Sequence, residues 1–291
     1  MKKDSYFPYS LETHLVDHCN LKCKGCSHFA PLVDGEVFTD IEVFKRDFSR
    51  LKQLFEHIYE IRLMGGEPLL HPELLTFCYF IRNLYPNTNV SIYTNGILLL
   101  KMPDDFWKTC SENNILVKIT YYPIGLRVTE ITRKAKENNV RLKIPKQIKH
   151  FFKHLNIDGD SDPKASFLNC RLMFQTPQLR EGKLFPCFFP AYVHIFSQYF
   201  NQSLYASEDD YINIFDNINQ ADIIEFLNHP IPMCRWCVTR RSFTKWGSSE
   251  QNINEWIGHE ADFITHFFRK SKYRVINMYH QSKRSKIKTG K

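Results

Sequence analysis

The sequence predicts an α/β protein built on a parallel sheet. Short β-rich runs alternate with amphipathic helical stretches through the first 145 or so of its 291 residues. Hydrophobic residues make up 43% and charged residues 24%, enough apolar material for a real core in a soluble chain. The rhythm then breaks, which predicts a second, smaller region behind the sheet.

The elements follow in order. Leu11–His18 reads as the first strand. "TDIEVFKRDFSRLKQLFEHI" reads as a helix, with Thr39 and Glu42 at capping-box spacing. Phe44, Phe48, Leu51, Phe55 and Ile58 form one apolar stripe at helical spacing. Tyr59–Met64 is a second strand and "HPELLTFCYFIRNLY" a second helix. Asn89–Thr94 is a third strand and "DDFWKTCSENN" a third helix. Ile115–Tyr122, a helix over Thr129–Asn138, and Val140–Ile144 complete the alternation. "HLNIDGDSDPKAS" has the composition of a linker. Beyond it, "TPQLREGKLFPC" predicts a hairpin turning at Glu181-Gly182. A helix is expected over Gln220–Asn228, and another from Glu255 onward. These breaks divide the chain into 1–160, 161–247 and 248–291.

The net charge of +8 comes from one end. From Arg269 onward there are nine Lys/Arg and no acid, so the body is near neutral. No groove-reading motif accompanies that tail. It is expected to be a solvated end, and nucleic acid is not expected as a partner. "MKKDSYFPYS" has no apolar run behind its lysines, so no signal peptide is expected there. No run approaches the roughly 18 apolar residues of a membrane span. A cytoplasmic location without membrane contact is expected. There, nine cysteines point to metal or redox chemistry rather than disulfides.

Seven cysteines fall into two groups. Cys19, Cys23 and Cys26 form C-x3-C-x2-C directly after the first strand, where α/β folds place their chemistry. Three thiolates on a four-iron cluster leave one iron open, as a catalytic site does. With His28 the same residues could instead form a zinc knuckle. The second strand runs into Gly65-Gly66-Glu67-Pro68, where the glycines let the backbone approach a ligand. The third runs into "YTNG", Tyr93 to Gly96.

This combination closely resembles the radical S-adenosylmethionine (SAM) superfamily. The resemblance implies a partial (β/α)6 barrel. It implies a [4Fe–4S] cluster on Cys19, Cys23 and Cys26, whose open iron takes SAM. It implies SAM contacts at Gly65, Gly66, Glu67, Pro68, Thr94 and Asn95, and cleavage of SAM to a 5′-deoxyadenosyl radical. Gly25 stands where most members carry a larger residue, although a subset with a similar "CNLxCxGCSHF" run shares it. A ribose-binding G-x-I-x-G-x-x-E motif is missing from the fifth strand.

Cys170, Cys187, Cys234 and Cys237 supply four more thiolates. They resemble the ligands of a twitch-type auxiliary [4Fe–4S] module, an α+β unit, in the arrangement of 2-deoxy-scyllo-inosamine dehydrogenases. A structural zinc ribbon would fit four cysteines equally well. Cys78 and Cys110 read as small buried hydrophobes. A sharper alternative makes one a hydrogen-atom donor.

Strand alternation sends Glu12, His14, Arg62, Lys118, Arg141 and Lys143 away from the helices. Arg62, Arg141 and Lys143 are candidate contacts for an anionic group; mutual pairing that plugs the barrel is the plainer account. The expected function is oxidation of a small polar, carbohydrate- or cyclitol-like molecule, with two [4Fe–4S] clusters and SAM as cofactors. A reductase, flavodoxin or ferredoxin would donate electrons. Peptide modification, epimerisation and a zinc-binding, nucleic-acid-associated protein are the alternatives.

Overall fold

The computed structural model describes residues 5–171 and 176–258. Five βα-type strands come first: β1 (Tyr6–Val16), β2 (His57–Gly65), β3 (Asn89–Thr94), β4 (Leu116–Ile119) and β5 (Leu142–Lys143). They alternate with α1 (Ile41–Leu54), α2 (Leu74–Leu84), α3 (Asp104–Glu112) and α4 (Val128–Glu137). All four strand pairings are parallel, in the order β5-β4-β3-β2-β1. The α/β class with a parallel sheet is as the sequence predicts.

Register sorts the two faces. Leu11, Ile61 and Val90 pair across β1–β3, as do Leu63 and Ile92, and these residues enter the helix-covered core. Glu12, Arg62 and Ser91 form the next row, and Tyr93, Lys118 and Lys143 another, on the opposite face. The predicted lumen is therefore polar.

Several boundaries differ from the sequence reading. Asp40, not Thr39, caps α1, accepting from the backbone N–H groups of Glu42 and Val43. Thr39 instead donates to the carbonyl of His14. The predicted first helix ends at Leu54, because His57 and Ile58 already pair with β1. All five residues of its apolar stripe are nevertheless buried.

The supposed linker holds structure at both ends: β6 (His150–Leu155) and α5 (Pro163–Arg171). β6 pairs antiparallel with β10 (Cys237–Lys245) in a separate two-stranded sheet. The predicted hairpin forms as β7 (Gln178–Arg180) and β8 (Lys183–Phe185), with Glu181 and Gly182 both at positive φ. It joins the main sheet: β7 runs parallel to β1 with Gln178 opposite Glu12, and β9 (Ile212–Asn213) follows β8 at the edge. α6 (Phe188–Phe200) is largely buried, and α7 (Gln220–Phe226) occupies its predicted place. A second apolar cluster, including Phe29, Tyr192, Phe196 and Trp256, ties α6 to the segment after Cys26. The helix expected from Glu255 falls almost wholly outside the described residues. No helix among the described residues is long and apolar enough to cross a membrane.

Candidate active site

β1 ends at Val16, and the cysteine loop starts from its carboxyl end. Two close approaches fix that start. A Cβ on Gly65 would lie 2.0 Å from the carbonyl oxygen of Val16, and one on Gly66 2.0 Å from that of His18. The glycines thus permit close contact with the end of β1 and the residues just after it. Gly66 N–H donates to Val16 O and Glu67 N–H to His18 O.

Glu67 is fully buried. Its Oε1 accepts from Thr94 Oγ1 (2.7 Å) and the N–H of Leu69, its Oε2 from the N–H of Asn95 (2.8 Å). The carboxylate buckles the Gly-Gly-Glu-Pro turn to the end of β3. Burial pushes its pKa up to about 7. Asn95 then reaches the cysteine loop, donating through Nδ2 to Asn20 Oδ1 (2.7 Å) and Cys19 Sγ (3.6 Å). The structure therefore brings Cys19, Gly66, Glu67, Thr94 and Asn95 together.

Each cysteine of the first group meets N–H donors. Cys19 Sγ also accepts from the N–H of Leu21, and Cys23 Sγ from the indole Nε1 of Trp246 at 3.4 Å. The backbone N–H groups of His28, Phe29 and Ala30 serve Cys26. Burial pushes all three thiols up, Cys23 to about 12. They are held as neutral thiols until a metal replaces the proton. One buried and two half-buried cysteines thus each face N–H groups suited to a thiolate, and donors of this kind suit an iron–sulfur cluster.

His28 is held through one of its ring nitrogens. Its Nδ1 lies 2.6 Å from His14 Nε2, while His14 Nδ1 lies 2.8 Å from Asp17 Oδ1. Arg180 grips both oxygens of Asp17 at 2.9 Å and holds that carboxyl well below its usual range together with His14. An ionised Asp17 accepts from His14 Nδ1–H, so His14 Nε2 accepts from His28 Nδ1–H. This assignment leaves the lone pair of His28 on Nε2. Tyr192 stacks on His14 with ring centroids 3.7 Å apart. Sequence reading placed His14 in the lumen but had no signal for Asp17, Arg180 and Tyr192, which meet only through the fold.

The predicted substrate contacts separate. Arg62 is already matched: it bonds Glu12 at 2.9 Å, Glu60 at 2.8 Å and Ser10, and lies over the ring of Tyr93. Lys118 donates to Tyr93 Oη at 2.6 Å. Burial and then the Arg62 charge lower the pKa of Lys118, and exposed Lys143 adds to that effect. Arg141 is exposed beside Arg82 of α2 and does not join them.

Cys170, Cys187, Cys234 and Cys237 all line one cavity, with Tyr9 and Pro177 on its wall. Burial first, then the neighbouring thiols, raises Cys187 and Cys237 well above the ordinary range. Tyr9 lies in the amino-terminal half of β1 and Cys19 beyond its carboxyl end, so the two cysteine groups address opposite ends of that strand. Cys78 and Cys110 are buried in the helix-side core, as expected of small hydrophobes.

With this geometry in hand, residues 14–149 match the family model described as Radical SAM superfamily. That stretch, just under half of the chain, is similar to radical SAM domains. It contains the first cysteine group and the Gly-Gly-Glu-Pro turn, and it ends before the second group. Among curated proteins, GTP 3′,8-cyclase of Trichodesmium erythraeum is 33% identical over 100 residues, covering 34% of this chain and 30% of its own length. That of Streptomyces coelicolor is 34% identical over 90 residues, covering 30% and 26%. The chain thus spans under a third of these relatives. Among solved structures, native anSMEcpe with bound AdoMet overlaps 79% of this chain and 83% of its own, at 16% identity and a TM-score of 0.48. BtrN in complex with AdoMet and 2-DOIA overlaps 81% and 93%, at 17% identity and a TM-score of 0.46.

Proposed function

We propose that this protein is a radical SAM oxidoreductase that dehydrogenates a small polar, carbohydrate- or cyclitol-like substrate. Cys19, Cys23 and Cys26 would hold a [4Fe–4S] cluster. The backbone of Gly65 to Pro68, with Thr94 and Asn95, would receive SAM. Cluster and SAM, when bound, supply a 5′-deoxyadenosyl radical. The single observation that carries the oxidative reading is the gathering of Cys170, Cys187, Cys234 and Cys237 around one cavity. Four thiolates fill every iron of a four-iron cluster. A saturated cluster suits electron acceptance better than substrate ligation. Oxidation of a carbinol to a ketone removes one hydrogen atom, one proton and one electron, and such an acceptor takes the electron.

The chain's part is to position and enclose. The polar face of Glu12, Glu60, Arg62, Tyr93 and Lys118 offers fixed donors and acceptors to hydroxyl groups. Arg62 has its charge matched by Glu12 and Glu60, which favours a neutral polyol over a strongly anionic substrate at that point.

Anaerobic reconstitution tests the reading. About eight iron and eight sulfide per chain are expected, as two four-iron clusters. Incubation with candidate polyols should consume one SAM per product, and the product should be two hydrogens lighter. A mass-neutral epimer carrying solvent deuterium would reject dehydrogenation. Stoichiometric zinc without a brown chromophore would reject the radical SAM reading itself.

A further inference from the structure

The segment from Trp246 to Trp256 lies outside the matched domain, yet it laces the cysteine loop. Lys24 N–H donates to Gly247 O and Ser249 N–H to Lys22 O. Trp256 Nε1 donates to the carbonyl oxygen of Cys26 at 2.8 Å. Gly25 sits at φ 66°, and a Cβ there would lie 2.9 Å from Glu255 O and 3.2 Å from Thr244 Cγ2. The strap takes the space that a larger residue at position 25 would fill. At its start, Trp246 is anchored by its backbone N–H to Lys149 O. Its ring lies nearly parallel to Tyr122, 16° apart with centroids separated by 6.1 Å. Its indole N–H points at Cys23 Sγ at 3.4 Å.

We infer that Trp246 is a positioning residue that sets the reduction potential of the cluster bound by Cys19, Cys23 and Cys26. This rests on the radical SAM reading of those cysteines. An N–H donor to a ligand sulfur stabilises the more negatively charged, reduced cluster and so raises its potential. Two features mark the indole as built for this. Its donor meets sulfur, whereas Trp256 in the same strap donates to a carbonyl. Its backbone is held by the Lys149 carbonyl, and its ring lies alongside that of Tyr122. The strap also continues directly from β10, whose first residue is Cys237. One stretch of chain thus starts in the second cysteine group and ends on a ligand of the first.

The test uses the full chain with both clusters reconstituted. Trp246→Phe keeps an aromatic ring at the site and removes the N–H; Trp256→Phe removes the carbonyl-directed donor as a control, with the same loss of ring size. The readout is the midpoint potential, by EPR-monitored titration, of the cluster whose signal changes on adding SAM. W246F should shift that potential to more negative values at unchanged iron content, and W256F should leave it in place. An unchanged potential in W246F overturns the inference. So does loss of iron in W246F, which makes Trp246 a residue of cluster assembly, or an equal shift in W256F, which makes the effect one of strap position. A wild-type protein that holds zinc and no iron fails the radical SAM reading instead, and is recognised before either variant is compared.

Discussion

Glu67 carries a carboxyl group into the fully buried interior. Three donors, from Thr94, Leu69 and Asn95, do not fully offset the loss of hydration, and its pKa stands at about 7. Its ordinary value is 4.5. Between those two values the folded protein holds the proton more tightly than the unfolded chain. The group's stabilising contribution is therefore complete below about pH 4.5 and is lost as pH rises through about 7, with a total of about 3 kcal/mol. Glu67→Gln removes the titration. It also points an amide N–H2 at one of the three donors, at a cost of about 1–3 kcal/mol. Urea unfolding of the metal-free protein at pH 5 and pH 8 measures both effects. The advantage of wild type over E67Q should shrink by about 2–3 kcal/mol from the lower pH to the higher. An advantage independent of pH would show that the carboxyl group ionises normally.

At the scale of elements, the site depends on how the end of β1 crosses the end of β2. Gly66→Ala places a methyl group 2.0 Å from His18 O, which is backbone and cannot swing aside. The loop from His18 must move, and Cys19 and Cys23 with it. G66A should lose the iron bound by the first group, leaving about four iron of eight. Gly247→Ala meets nothing within 4 Å and should bind iron as wild type does, with stability unchanged to within about 0.5 kcal/mol. Iron analysis of the two proteins side by side decides it; full iron in G66A would mean that the crossing is not needed. Elements whose signal is local were readable in the sequence. β3 forms with its predicted bounds, because a short β-rich run between turn residues leaves little choice of register. The hairpin turn was legible because Glu181-Gly182 can take positive φ. β6 and β10 were not, since each exists only by pairing with a partner more than 80 residues away. α6 hides for another reason. "FFPAYVHIFSQYF" is apolar nearly all round, so no 3.6-residue period stands out. The same division holds for the site: the two cysteine groups announce themselves by spacing, whereas Trp246, Arg180 and Tyr192 reach the first of them only after the chain has returned across the sheet.

Across the whole molecule, the sheet links the regions that hold the two cysteine groups. β7 extends the sheet past β1 in parallel and β8 follows it antiparallel, and Arg180 on β7 forks onto Asp17 beside the cysteine loop. The region holding the second cysteine group is thus hydrogen-bonded to the strand that leads to the first. Changing the second group should nevertheless separate two functions, because its four thiols gather around their own cavity. SAM cleavage needs only the first group under the proposed reading, while product formation needs both. Replacing Cys234 and Cys237 by Ala should leave about four iron per chain and continued SAM cleavage in the presence of a chemical reductant. Product should fall below detection. Replacing Cys19, Cys23 and Cys26 by Ala should leave a similar iron count but abolish both activities. Cys187, Cys234 and Cys237 pack against the second apolar cluster, so folding must be checked. Loss of the far-UV signal would mark a structural effect, whereas retained structure with uncoupled cleavage marks an electronic one. Product formation by a folded C234A/C237A protein at the wild-type rate would remove the second group from the reaction.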